Sequence, residues 1–225
     1  MRQRKIKNLE EKLNGFSAYW TREPEQYKGM WRSFIGGEGA ASSALYVEIG
    51  CGKGQFITRQ AAASPDALWL AFEGHESVVL HALEKTDAAG LTNVRFVLNY
   101  LNDLSEIFED GEIDGIYLNF SDPWPKDRHA KRRLTYGKRL AEYSRALKPG
   151  GFLEFRTDND ELFAYSLDEF AAQSELKTDM VTLDLHSAVD KESLITTEYE
   201  DKFAAGGKPI HFLRVRKAEK TVENE

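Results

Sequence analysis

The sequence predicts an α/β fold built on a mostly parallel, doubly wound sheet, and three observations carry that prediction. Short apolar runs alternate along the chain with longer segments of helical periodicity, the alternation that lays helices over both faces of a parallel sheet. A turn with glycine at three alternate positions, Gly50, Gly52 and Gly54, joins the first apolar run to the first helical segment. The 225 residues are enough to bury one large core without disulfides or a structural metal.

The elements follow in order. The first strand, 44–49, is apolar up to Glu48, and the helix 54–63 leaves the glycine turn. The second strand, 68–73, reads Leu-Trp-Leu-Ala-Phe-Glu and leads to a helix over 76–89. A strand at 94–98, a short helix at 103–108 and a strand at 113–120 come next. A helix over 132–147 ends at Lys148-Pro149-Gly150-Gly151, where proline and glycine stop it and turn the chain into the strand 152–157. The helix 161–174 precedes two last strands, 180–185 and 210–216, for a sheet of seven. No convincing helix joins that final pair, so they are expected to run antiparallel as a closing hairpin. Residues 1–40 read as a partly flexible basic arm, 41–217 as one domain and 218–225 as a polar tail.

Composition limits the partners. Cys51 is the only cysteine, so no internal disulfide forms, as suits a reducing compartment; its place in the glycine turn marks it as a packing residue. No apolar stretch approaches the roughly twenty residues of a membrane span, and the start lacks the apolar region of a signal peptide. A cytoplasmic protein, monomer or homodimer, is expected. The five histidines show no metal-ligand spacing, so no metal is assigned. The formal net charge is −7, yet a polyanion feels the local field, because exposed charges beyond about 8 Å are screened at physiological salt. Two basic clusters stand out: Arg2, Arg4, Lys5 and Lys7, and the string from Lys126 through Arg128, Lys131, Arg132 and Arg133.

Glycines at 50, 52 and 54 let the backbone turn tightly and approach a bound molecule, so a nucleotide-like cofactor is expected. A dinucleotide site wants Gly-x-Gly-x-x-Gly; the spacing here favours a cofactor without a pyrophosphate. In such a sheet ligands gather outside the carboxyl ends of the strands, which brings Glu48, Glu73, Asn99 and Asp122 to one rim. Glu73, some twenty residues past the glycines, is placed to accept from a ribose diol. In Ser121-Asp122-Pro123-Trp124-Pro125 the two prolines fix φ and hold their preceding residues out of helical geometry, so the loop is rigid and extended. Trp124 offers a face on which a base can stack, worth about 1–3 kcal/mol. The basic string behind it suits a nucleic-acid substrate.

Glu48-x-Gly50-x-Gly52-x-Gly54, the string Phe120 to Leu134, Thr157-Asp158-Asn159 and Thr197-Glu198-Tyr199-Glu200 together resemble the bacterial tRNA (guanine-N7-)-methyltransferases, the TrmB family, over almost the whole chain after about Met30. The resemblance implies a class I, Rossmann-like methyltransferase fold, S-adenosylmethionine as donor and guanine 46 of the tRNA variable loop as acceptor. Glu48, Glu73 and Asp122 match the family's cofactor positions; Lys126, Asp158 and Thr197 to Glu200 match its substrate positions. Relatives carry an acid where this chain has Tyr100, and Asn99 is the neighbouring candidate to accept from the adenine amino group. Asp122 and Asp158 are the catalytic candidates, Asp158 holding the guanine edge and Asp122 orienting donor and target. Arg128, Lys131, Arg132 and Arg133 are assigned to the RNA backbone, with Arg156 assisting. Two other readings use the same residues: methylation of an exocyclic base nitrogen, and a non-catalytic RNA-binding module.

Overall fold

The computed structural model describes residues 6–101, 103–190, 194–204 and 207–219. In chain order the elements are α1 (Leu9–Asn14), β1 (Trp20–Thr21), α2 (Trp31–Gly36), β2 (Leu45–Ile49), α3 (Gln55–Ala63), β3 (Leu68–Phe72), α4 (Glu76–Ala88), β4 (Val94–Val97), α5 (Leu104–Ile107), β5 (Ile113–Asn119), α6 (Gly137–Ala146), β6 (Leu147–Thr157), α7 (Asp160–Ala171), β7 (Leu176–Thr182), α8 (Leu185–Ala188), α9 (Glu198–Ala204) and β8 (His211–Lys217).

They form one eight-stranded sheet in the order β1-β4-β3-β2-β5-β6-β8-β7. All neighbours from β1 to β6 are parallel, whereas β8 runs antiparallel to both β6 and β7. Every residue of β3 and β5 is buried, the expected state of parallel strands covered on both faces. One face buries Val47, Leu70, Ile116 and Phe155 against Trp31, Tyr143 and Phe163; the other buries Trp69, Phe96 and Tyr117 against Phe56, Leu80 and Leu83. The chain leaves β2 toward β3 on one side, and β5 lies on the other. The crevice between the ends of β2 and β5 is therefore the switch point at which α/β sheets take ligands.

Several expectations are corrected. The eighth strand is β1, which lies inside the expected arm and pairs Trp20 and Thr21 with Phe96 and Val97. Within residues 6–40 Leu13, Trp31 and Ile35 are core residues, and Trp31 Nε1 donates to Ile107 O at 2.9 Å. Arg2, Arg4 and Lys5 lie outside the described residues. The expected helix 132–147 shortens to α6, because a 3₁₀ turn occupies Asp127–Arg132 and Arg133 and Tyr136 are extended. Lys148 to Gly151 bulge within β6, whose pairing jumps from Leu147 opposite Ile113 to Phe152 opposite Gly115. The expected strand 180–185 begins at Leu176, and residues 185–188 form α8. The closing hairpin is a wider excursion carrying α8 and α9.

Candidate active site

The glycine turn is fastened to the neighbouring strand: Gly50 N and Cys51 N both donate to Phe72 O, at 2.8 and 3.0 Å. Gly50, Gly52 and Gly54 all have positive φ, at 83°, 56° and 77°. A Cβ on Gly50 or Gly52 would meet no protein atom within 4 Å, so these two α-carbons face open space that a ligand can enter. Gly54 is different, because a Cβ there would overlap the Ala82 methyl and lie 3.0 Å from its Cα. The third glycine therefore seats α3 against α4. Gly54→Ala is expected to destabilise the protein by about 3 kcal/mol, from a left-handed backbone plus overpacking, read as a lower denaturant midpoint. An unchanged midpoint would mean that the two helices separate freely. Burial, with the Glu48 and Glu73 carboxylates behind it, pushes the Cys51 thiol well up, so it is no nucleophile at neutral pH.

Glu73 ties two loops together. Its Oε2 accepts from Gly52 N at 3.0 Å and its Oε1 from His75 N at 2.8 Å. A carboxylate has about four acceptor sites, so lone pairs remain for a diol. Glu48 lies behind the turn, 2% exposed, and accepts from Asn119 Nδ2 at 2.9 Å through Oε1. Its Oε2 has no partner among the described residues. Burial, only partly offset by the Asn119 hydrogen bond and the Arg156 charge, pushes the Glu48 carboxyl from 4.5 up to about 7. A pKa raised by folding contributes stability that is full below pH 4.5 and lost as the pH climbs through about 7. Relative to Glu48→Gln, the wild-type protein is expected to lose up to about 3 kcal/mol across that window. Parallel curves of unfolding free energy against pH for the two proteins would refute a titrating Glu48.

At the switch point lies a cavity of about 780 Å³, lined on one side by Gly50, Glu73 and Asn99 and on the other by Asp122, Trp124, Lys131 and Arg132. The sequence-predicted groups from three strand ends and the proline loop thus share one space. Tyr100, which stands where relatives carry an acid, and Phe120, which opens the proline string, also line it, together with His75 and Arg139, which sequence reasoning missed. Tyr100 and Phe120 follow the ends of β4 and β5, so the strand-end rule reaches them as well. Tyr100 is mostly exposed and its hydroxyl sits 3.1 Å from His75 Nε2.

The proline loop is held under strain, with Phe120 and Trp124 at φ 51° and 41°. Arg132 lies 4.8 Å over the Trp124 ring, and His129 meets its edge at 5.8 Å. Lys126 and Arg128 are exposed beside it. Arg133, unlike its neighbours, is 8% exposed, and its guanidinium faces inward, donating to Pro123 O at 3.1 Å and Trp124 O at 3.0 Å.

Residues 194–201 lie over this end of the sheet. Gln55 Nε2 donates to Asp201 Oδ2 at 2.7 Å, and Arg59 Nη1 to Thr196 Oγ1 at 3.0 Å. Glu198 pairs with Lys85. Tyr199 stacks on Phe120 at 4.9 Å and donates to Asp158 Oδ2 at 3.3 Å, which Lys208 Nζ also reaches at 3.3 Å. Burial, then the Asp158 charge, raises the Tyr199 pKa and keeps the phenol a donor. Asp158 stands outside the cavity and is linked to it through Tyr199 and Phe120. Thr197 caps the turn by accepting Glu200 N at 3.0 Å. Glu200 is fully buried, bonded to His186 Nε2 at 2.7 Å and paired with Arg156 at 3.5 Å. Arg156 is equally internal, at 5% exposure. Among the described residues no three His, Cys, Asp or Glu side chains gather as metal ligands would, and no helix is long and apolar enough to cross a membrane.

A family model described as "Putative methyltransferase" matches residues 42–213. A tRNA (guanine-N(7)-)-methyltransferase of Listeria monocytogenes is 46% identical over 206 residues, covering 92% of this chain and 94% of that protein. The chain belongs to the tRNA (guanine-N(7)-)-methyltransferase family. A family member from Streptococcus mutans is 42% identical across 96% of this chain and 100% of its own length. The crystal structure of an rRNA methylase from Streptococcus thermophilus, at 15% identity, superposes with a TM-score of 0.53 over 79% of this chain and 88% of its own, a likeness of fold.

Proposed function

We propose that this protein transfers a methyl group from S-adenosylmethionine to N7 of a guanine in tRNA, guanine 46 of the variable loop, in the cytoplasm. The observation that carries this reading is the single cavity at the switch point, with nucleotide-binding groups on one wall and an aromatic, cationic wall opposite. The cofactor side suits the donor: open α-carbons at Gly50 and Gly52, free lone pairs on Glu73, and the unpartnered Glu48 Oε2 behind the turn. When bound, S-adenosylmethionine supplies an electrophilic methyl on a sulfonium. Glu73 would hold the ribose diol, Asn99 the adenine amino group, and the Gly50 to Gly52 backbone the approach between them.

Guanine N7 has an in-plane lone pair and no proton, so the residues need not supply a strong base. Their work is alignment and electrostatics. Asp122 and Trp124 fix the purine at the cavity mouth, and Asp158 accepts from its ring N1 and amino hydrogens. Their carboxylates offset the positive charge that passes to the ring. Lys126, Arg128, Lys131 and Arg132 hold phosphates while the base leaves its stack, at a cost of a few kcal/mol. The test is incubation with labelled S-adenosylmethionine and unmodified tRNA followed by nucleoside analysis. 7-Methylguanosine is the expected product, and a base methylated on an exocyclic nitrogen would overturn the reading. The salt dependence of tRNA binding is expected to flatten in Lys131→Ala and Arg132→Ala, by a slope of about one each; an unchanged slope would remove them from the interface.

A further inference from the structure

We infer that Arg133 is a positioning residue that sets Trp124 as the platform on which the target purine stacks, and that it makes no contact with the RNA backbone. This rests on the proposed tRNA reading. Arg133 follows four cations in one continuous string, Lys126, Arg128, Lys131 and Arg132, yet it alone is turned inward. Its Nε donates to Pro123 O at 3.1 Å and its Nη2 to Trp124 O at 3.0 Å, two carbonyls of the proline loop gripped by one planar fork. The guanidinium also lies 4.1 Å over the Tyr165 ring, which anchors it to α7.

The grip has a task. Trp124 has a φ of 41°, a left-handed backbone that a bulky aromatic avoids and that costs about 1–3 kcal/mol unless its surroundings impose it. Prolines on both sides stiffen the loop but do not set the φ of the residue between them. The fork on Pro123 O and Trp124 O does, because both carbonyls can meet one guanidinium only in a tight bend. With the bend fixed, the Trp124 ring faces the cavity and Arg132 lies against it at 4.8 Å. Two adjacent arginines thus do different work: Arg132 lies over the platform's ring within the cavity, and Arg133 holds its backbone from within.

A lysine keeps the charge but loses the fork, which separates positioning from phosphate binding. The experiment compares wild type, Arg133→Lys, Arg133→Ala, Lys131→Ala, Trp124→Ala and the Arg133→Lys/Trp124→Ala double variant in the full chain on unmodified tRNA. Turnover, KM and the salt slope of tRNA binding are measured. Arg133→Lys is expected to lower kcat about tenfold or more while its salt slope equals that of the wild type, and Lys131→Ala is expected to lose about one unit of slope. The double variant is expected to turn over no more slowly than Trp124→Ala alone, since the two residues act as one unit. Near-wild-type turnover in Arg133→Lys, or a reduced slope in Arg133→Ala, would overturn the inference and return Arg133 to the phosphates. Additive losses in the double variant would overturn it too, leaving a general stabilising role. Should Arg133→Ala fail to fold, the lysine variant still decides. Failure of the functional reading itself is distinct: the wild-type protein would then form no 7-methylguanosine.

Discussion

Alanine at Asp158 is expected to slow formation of 7-methylguanosine by about 10²-fold or more while S-adenosylmethionine affinity stays within a few-fold of wild type. The separation follows from position. Asp158 stands at the end of β6, outside the cavity, with Tyr199 and Lys208 as its partners at 3.3 Å. Nothing on the Gly50, Glu73 and Asn99 wall depends on it. A carboxylate that accepts the amino and N1 hydrogens of guanine acts on the purine as it gains positive charge, so its loss belongs in kcat. Single-turnover rates with saturating cofactor and calorimetric titration of the cofactor check the two halves. Loss of cofactor binding in Asp158→Ala would show that the assignment of the two walls is wrong. Tyr199→Phe, which removes a donor to Asp158, is expected to have a smaller effect in the same direction.

Arg156→Ala is expected to cost about 4 kcal/mol of stability, because it leaves buried carboxylates without their cation. Arg156 lies within 3.5 Å of both Glu200 and Glu154, donates to Ile195 O at 2.9 Å, and lowers the pKa of Glu48. Glu154 keeps Arg214, whose Nε donates to it at 2.9 Å, so the loss falls chiefly on Glu200. For a chain of 225 residues the shift in melting temperature is expected at about 10 °C. The double variant Arg156→Ala/Glu200→Ala is expected to recover part of it, since no buried charge is then left unpaired by the first change. Strict additivity of the two losses, measured by chemical denaturation, would show that the ion pair contributes no coupling.

The parallel half of the sheet was legible because strands buried on both faces make largely apolar runs, continuous in Leu68–Phe72 and broken only by Asp114 and Gly115 up to Leu118 in β5. β1 has two residues, too few for any period to show. β7 begins unread because Lys177, Thr178 and Asp179 are exposed on an edge strand and look like a loop. In the site, the strand-end rule found Glu73, Asn99 and Asp122 because position along a strand fixes which rim a residue reaches. It could not tell which way a side chain turns. Arg133 and Glu200 sit among exposed residues of like character, and only tertiary contacts send one to the proline loop and the other to Arg156. Glu48 was placed at the correct strand end, but its alternation puts it beside Asn119, behind the turn.

The last strand has a consequence for the order in which this chain acquires activity. β8 fills the slot between β6 and β7, so those two strands are joined only through it. During synthesis the parallel strands up to β5, which carry Gly50, Glu73, Asn99 and Asp122 to the cavity, can assemble early, whereas the stretch that brings Tyr199 over Asp158 is anchored only after the final strand has been made. The nucleotide-facing wall would then take shape in a nascent chain before Tyr199 is fixed against Asp158.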